Sequence, residues 1–96
     1  MGEFTVAFLG YRDDWELERL KSQAPDGMNV VGTPLGSERD THAALVEIAD
    51  VVIPWMRSFE NDMVDSAKNL KLIQALSAGT DYLSVADLAE RGIRVA

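Results

Sequence analysis

The sequence predicts an α/β domain built on a single doubly wound parallel sheet. Short apolar runs rich in β-branched residues alternate along the chain with amphipathic helical segments, and Gly, Pro or Asn separates most of them. Continuous apolar runs, without alternating polar residues, are typical of strands buried on both faces of a sheet. Short loops between strand and helix favour right-handed crossovers. Five strands are predicted. We expect the order 2-1-3-4-5, because this order needs no second half-domain.

The first half of the chain contains two predicted strands with a helix between them. The strands cover residues 4–10 and 28–34. The helix begins at Asp13, which has the capping-box spacing with Glu16, and it stops before Pro25. Three apolar residues at helical spacing are predicted to face inward: Leu17, Leu20 and Ala24.

The second half continues the alternation. Strands are predicted over residues 49–55, 70–76 and 93–96, and Ser84 is the predicted N-cap of the last helix. The second helix is expected to turn Ala44, Leu45 and Ile48 inward. The third helix is expected to bury Met63, Val64 and Ala67, and the fourth Val85 and Leu88.

Composition limits the classes of function. The 96 residues suffice for one domain, and sixteen acidic against nine basic residues give a net charge of −7, which argues against nucleic acid as a partner. There is no cysteine, which excludes disulfides and thiolate metal sites. No apolar run approaches the roughly 20 residues of a membrane span, and the start lacks a signal-peptide pattern. We therefore expect no membrane association and a cytoplasmic location.

Ligands of doubly wound sheets bind beyond the C-terminal ends of the strands, which selects three loops here. They cover residues 10–12, 55–57 and 77–80. The last loop consists of small residues, so its backbone amides could approach a carboxylate closely. A plain turn explains the same residues equally well.

Side chains of the other two loops carry less specific signals. Arg12 or Arg57 could add positive charge, whereas Trp55 and Met56 suit either a ligand pocket or the core at a strand end. His42 is the only histidine and lies on the second helix, away from these loops, which favours an ordinary surface or packing role over catalysis. No metal-ligand set is present.

The phosphate-binding motifs of nucleotide-binding proteins are missing. Gly32 and Gly36 do not form G-x-G-x-x-G, and there is no Walker A lysine. This chain alone is therefore expected to bind no cofactor.

Three short motifs in the second half carry a family resemblance. They are Asn69-Leu70-Lys71 before a strand, Ala78-Gly79-Thr80-Asp81 after it, and Gly92-Ile93-Arg94-Val95 at the end. In this pattern the chain resembles the N-terminal part of the D-isomer-specific 2-hydroxyacid dehydrogenases, the group that includes phosphoglycerate dehydrogenase. The resemblance is strong from about residue 49 to residue 96 and only topological before that.

The resemblance implies a flavodoxin-like substrate-binding domain over residues 1–96. Backbone amides of Ala78 and Gly79, with Ser77 alongside, would hold the carboxylate of a 2-hydroxy or 2-oxo acid. The loop formed by Trp55, Met56 and Arg57 would shape the pocket for the side group of that acid. NAD or NADP and the catalytic residues would belong to a Rossmann domain that follows, so no catalytic residue is assigned here and the chain alone should be inactive.

The resemblance also implies partners. They are the small acid and the nucleotide-binding domain of the same enzyme. In the family a helix from the far C-terminus covers this domain, so its absence should expose an apolar face, and we expect a homodimer through that face. The alternative from another class is a free-standing acidic flavodoxin-like module that binds a small anion or a protein without catalysis.

Overall fold

The computed structural model describes residues 4–55, 59–74 and 85–96. Five parallel strands form one sheet in the order β2-β1-β3-β4-β5, as predicted. The strands and helices, in chain order, are β1 Phe4–Tyr11, α1 Asp14–Gln23, β2 Met28–Pro34, α2 Arg39–Ile48, β3 Val51–Pro54, a 3₁₀ helix Asn61–Ser66, β4 Leu72–Ile73, α3 Val85–Glu90 and β5 Arg94–Val95. Within the described ranges no helix is long and apolar enough to cross a bilayer.

Strand β1 lies at the centre of the chain's packing. It pairs with β2 on one edge and with β3 on the other, and its residues 5–10 are all buried. Because alternate residues of a strand point to opposite faces, β1 contributes to a separate core on each side of the sheet. This confirms the prediction of a strand buried on both faces.

The larger core lies on the α2 side of the sheet. Ala7 and Leu9 of β1 meet Val46 of α2 there, together with the fully buried Phe59. Other members come from the remaining elements of this side: Val52, Met63, Val64, Ile73, Leu88 and Ile93. The third helix is therefore inward-facing as predicted, although it is a 3₁₀ helix.

The smaller core lies on the α1 side. Val6 and Phe8 of β1 pack with Val30 of β2 and Leu17 of α1. The approach of α1 to β2 is close at Gly32, where an added Cβ would stand 2.9 Å from Leu17 Cδ1. The same Cβ would stand 3.0 Å from the backbone oxygen of Phe8, so a side chain here would displace Leu17 and crowd β1, and glycine avoids both.

The inward faces of two helices differ from the prediction. On α2, Ile48 is 51% exposed and Ala44 is exposed, whereas His42 and Val46 are buried. Leu45 packs against the larger core as predicted, but the prediction was wrong for Ala44 and Ile48. It followed apolar residues alone, whereas a polar histidine occupies the buried face of the helix. On α3, Leu88 is buried as predicted, but Val85 is 48% exposed at the first residue of the helix.

Strands β3, β4 and β5 are shorter than predicted. The pairing between β3 and β4, and between β4 and β5, extends over two residues of each strand. Residues 75 and 76 of predicted strand four and the predicted N-cap Ser84 lie outside the described residues.

His42 is buried because it has a polar partner inside the domain. Its Nδ1 lies 2.6 Å from the Thr33 hydroxyl oxygen, and both residues are at most 5% exposed. Desolvation lowers the pKa of His42, because burial disfavours the charged imidazolium. This is a packing role, one of the two ordinary roles that the sequence analysis favoured over catalysis.

The buried His42 makes stability depend on pH. The unfolded chain takes up a proton near pH 6.5 and the folded chain only at lower pH, so the free energy of unfolding should fall as pH drops below about 6.5. For one proton the slope cannot exceed about 1.4 kcal/mol per pH unit. Urea unfolding of the wild type and His42→Gln between pH 7.5 and 5.5 measures it. Equal slopes for the two proteins would contradict this account.

Candidate functional site

The C-terminal edge of the sheet is the candidate ligand edge. Helices α1 and α2 leave this edge on opposite faces of the sheet, since Leu17 packs in the smaller core and Val46 in the larger one. The reversal of strand order therefore falls between β1 and β3, where ligands of doubly wound sheets bind. Two backbone bonds define the edge: Trp55 N donates to Leu9 O at 3.0 Å, and Leu35 N donates to Tyr11 O at 2.8 Å.

Trp55 is placed at this edge directly after β3. Its side chain is partly buried and packs against the smaller core, on the α1 side. Trp55 therefore packs in the core and also lies beside the point where strand order reverses. This position is compatible with both predicted roles, a ligand pocket and core packing at a strand end. The companion residues Met56 and Arg57 lie outside the described residues.

The predicted carboxylate loop follows β4, the neighbour of β3 in the sheet. Ser77, Ala78 and Gly79 lie outside the described residues. The backbone before them is fixed, because Gln74 N donates to Val52 O at 2.9 Å. Since β3 and β4 run in parallel and in register from Val52 and Ile73, the chain leaves both strands at the same edge.

In the turn after β1, two backbone amides are already hydrogen-bonded within the chain. The backbone N–H groups of Arg12 and Asp13 both donate to Glu16 Oε1, at 2.7 and 3.0 Å. These two hydrogen bonds, Asp13 first, lower the pKa of the Glu16 carboxyl group. The predicted capping pair is thus confirmed.

This turn does not fit a dinucleotide. A pyrophosphate binds at the helix that follows the first strand by taking free backbone amides near the helix N-terminus. Here a carboxylate takes the amides of Arg12 and Asp13, and Asp13, Asp14 and Glu16 make the turn acidic. These two amides are therefore not available to a phosphate.

An ion-pair cluster at the start of α2 was missed by the sequence analysis. Arg39 Nε lies 2.5 Å from Glu60 Oε1, and Arg39 Nη2 also pairs with Asp62 Oδ1. Hydrogen bonds to Glu60 and then Asp62 raise the pKa of Arg39. In the sequence, Glu60 and Asp62 stand two positions apart just before the apolar pair Met63–Val64, and this spacing was the available signal for a cation-binding pair. Nothing in the sequence indicated which arginine would meet the two acids. At the far end of the same 3₁₀ helix, Arg91 pairs with Asp65 at 2.9 Å.

Metal chemistry has no support from the described part of the chain. No group of three or more His, Cys, Asp or Glu side chains is placed there to hold an ion. The described residues form a flavodoxin-like α/β domain with an ion-pair cluster where α2 begins.

Comparisons with known proteins place this domain in a family. Residues 7–96 match the family described as D-isomer specific 2-hydroxyacid dehydrogenase, catalytic domain, and the chain belongs to that family. Among solved structures the chain is similar to an acyclic imino acid reductase (Bsp5) in complex with NADPH and D-Arg, with a TM-score of 0.72 and 14% sequence identity. The match covers 97% of this chain and 30% of that one, so the chain spans less than a third of that protein's length. No curated protein sequence gives a significant match.

The family confirms the resemblance read from the sequence, and the likeness to the reductase supports the fold. The roles assigned to Trp55, Met56, Arg57 and residues 77–79 stay predictions.

Proposed function

We propose that this chain is the substrate-binding domain of an NAD(P)-dependent D-2-hydroxyacid dehydrogenase. The observation that carries the proposal is the family match over residues 7–96. The described backbone adds that β4 runs parallel to β3 as far as Gln74, whose N–H donates to Val52 O. In this proposal the backbone amides of Ala78 and Gly79, with Ser77, bind the carboxylate of a 2-hydroxy or 2-oxo acid. Small side chains let a ligand approach the backbone closely, which supports the assignment.

The pocket for the side group of the acid would lie beside this cradle. Residues 55–57 follow β3 and residues 77–79 follow β4, and adjacent strands are about 4.8 Å apart. Such spacing suits a small acid held by its carboxylate at one loop, with its side group against Trp55, Met56 and Arg57 at the other. Binding and orientation are the work of this chain, since no catalytic residue is assigned to it.

The reactive part of the enzyme would lie on a nucleotide-binding domain of the same enzyme. NAD or NADP would supply or accept the hydride there. The acidic turn at Glu16 supports the view that no cofactor binds within the described residues of this chain, because its amides are already taken. We place the enzyme in the cytoplasm.

Small acids should bind weakly to the isolated chain. Titration with glyoxylate, followed by ¹H–¹⁵N NMR, should shift the amides of residues 77–79. Ala78→Pro removes one donor and should weaken binding about 5- to 10-fold, the effect of losing one hydrogen bond of roughly 1 to 1.4 kcal/mol. Val85→Pro is the matched control, because proline is tolerated at the first residue of a helix. Shifts scattered over the surface, or equal loss in both variants, would refute the cradle.

The isolated chain should not bind the cofactor tightly. Calorimetric titration with NADH should give no binding in the micromolar range, because the donors of the β1–α1 turn serve Glu16. A dissociation constant of micromolar or below would show that this chain holds a cofactor site of its own.

We further propose a homodimer through an apolar face on the α1 side of the sheet. Val51 and Ile53 of β3 are only partly buried there, and Leu72 continues the same face by register. The helical members of this core come from α1 and from Ala24 at its end, so α1 leaves the β3 half of the face open. A shallow groove of about 210 Å³ separates α1 from β3, lined by Phe8, Glu16, Arg19, Leu20, Gln23 and Ile53.

Charge favours a second copy as the occupant. Glu16 and Arg19 both line this groove. If two α1 helices met antiparallel about a two-fold axis, each Glu16 would face the other copy's Arg19, and Ile53 and Leu20 would be covered together.

Sedimentation velocity should therefore show reversible dimers. Ile53→Lys should weaken dimerisation about tenfold or more, because it replaces an apolar side chain in the contact. Ile48→Lys is the matched control, since Ile48 is 51% exposed on α2, away from the groove. A monomer at all accessible concentrations would contradict the dimer, and equal effects of both variants would contradict this face.

A further inference from the structure

Strand β2 is an edge strand whose outer side is open. It stands first in the sheet order, so among the described residues β1 is its only neighbour in the sheet. Helices α1 and α2 cover its two faces, since Val30 packs in the smaller core and Val31 against the larger one. Residues 5–10 of β1, which has a strand on each side, are all buried, whereas four of the seven residues of β2 are half-buried. The exposure of β2 therefore comes from its outer edge.

Two residues of β2 direct their backbone polar groups to this outer edge. In a parallel ladder, successive residues of a strand direct both N–H and C=O to opposite edges. Gly27 O accepts from Phe4 N of β1 at 3.0 Å, and Leu35 N donates to a carbonyl of β1 at 2.8 Å, so the odd-numbered residues of β2 face β1. Val30 and Gly32 therefore point their N–H and C=O groups outward. Within the described part of the chain these four groups form no hydrogen bond.

Strand β2 also lacks the features that protect an edge. Edge strands that stay unpaired usually carry a charge, a proline or a bulge. Residues 27–37 are the longest stretch of the chain without Asp, Glu, Lys or Arg. The proline of β2 is Pro34, its last residue, and the irregular register of the β1–β2 pair falls at the same end. The other edge strand, β5, is two residues long and includes Arg94. The unprotected edge of the sheet is therefore β2.

We propose that β2 pairs antiparallel with β2 of a second copy of this chain, so that the two sheets join at this edge. With a two-fold axis at Val31, Val30 lies opposite the second copy's Gly32, and Gly32 opposite the second copy's Val30. Each pair exchanges two N–H···O hydrogen bonds, and together the pairs use all the outward groups of both copies.

The register is fixed by the two ends of β2. If the axis moved to residue 30, the Gly32 carbonyl would need the Met28 N–H, which is already bonded to Pro25 O at 3.1 Å. If the axis moved to residue 32, the Val30 carbonyl would need an N–H that Pro34 does not have. Only the axis at Val31 leaves no outward group unpaired.

Charge favours this strand as the place where two copies meet. Each copy has a net charge of −7, so copies repel one another, and they repel least where the contact carries no charge. The edge is separate from the α1-side dimer face, because β1 lies between β2 and β3. The inference depends neither on that dimer nor on substrate binding.

Sedimentation velocity of the Ile53→Lys chain isolates the edge contact, because this substitution weakens the α1-side dimer. A reversible dimer should remain at high concentration. Adding Val31→Lys should weaken it about tenfold or more, since two lysines would face each other at the axis. Val95→Lys is the matched control and should have no effect. Both valines are partly buried at the margin of the larger core, one on each edge strand.

A cross-link tests the register with a smaller substitution. At the proposed axis the two Val31 Cα atoms would lie about 4.5 Å apart, a distance that a disulfide can span. The chain has no cysteine, so Val31→Cys can be oxidised only to a bond between copies, here with oxidised glutathione. Asn29→Cys, on the same strand, should not cross-link, because residue 29 would lie opposite the second copy's Thr33.

Hydrogen exchange reports the same contact without a substitution at the edge. In Ile53→Lys the amides of Val30 and Gly32 should exchange more slowly as protein concentration rises. The amides of Asn29 and Val31 face β1 and should show no such dependence.

Three results would overturn the edge contact: a monomeric Ile53→Lys chain at every concentration, equal weakening by Val31→Lys and Val95→Lys, or equal cross-linking at residues 29 and 31. An exchange rate at Val30 and Gly32 that does not change with concentration would also overturn it, and would leave this edge to an extended segment of another protein. The proposed substrate site stands in each of these cases.

Discussion

The double pairing of β1 is the constraint on which the rest of the domain depends. With β2 and β3 bonded to its two edges and both of its faces buried, β1 fixes the sheet order and divides the apolar residues into two cores. Its C-terminal end also organises the ligand edge, because Leu9 O accepts from Trp55 N and Tyr11 O from Leu35 N. A change within β1 would therefore alter packing and site together.

Charge at the ligand edge is largely compensated within the chain. Glu16 occupies the amides of the β1–α1 turn, and Arg39 is shared between Glu60 and Asp62. In an acidic chain of net charge −7, an anionic substrate needs donors that are not already engaged. In the proposed site the backbone amides of a small-residue loop would meet this need.

Much of the fold could be predicted, since the alternation of strands and helices follows from alternating apolar runs, and the capping of α1 follows from the spacing of Asp13 and Glu16. The face that α2 turns toward the core could not be predicted. It depends on the burial of His42, which requires a polar partner, and that partner is Thr33 on another element, β2. The Arg39 cluster escaped for a similar reason. Its residues are 21 and 23 positions apart, and only packing of α2 against the 3₁₀ helix brings them together.

The sequence by itself determined the fold class and the family, because these follow from local periodicity and from short motifs that are contiguous in the chain, and the number of predicted strands favoured the observed strand order. Tertiary structure decided which helix faces are buried and which acids Arg39 meets. These depend on long-range contacts between side chains, and such contacts leave no local pattern in the sequence. The small-residue loop at residues 77–80 was identified by its motif alone, and what the tertiary structure adds is the pairing of the preceding strand β4 with β3.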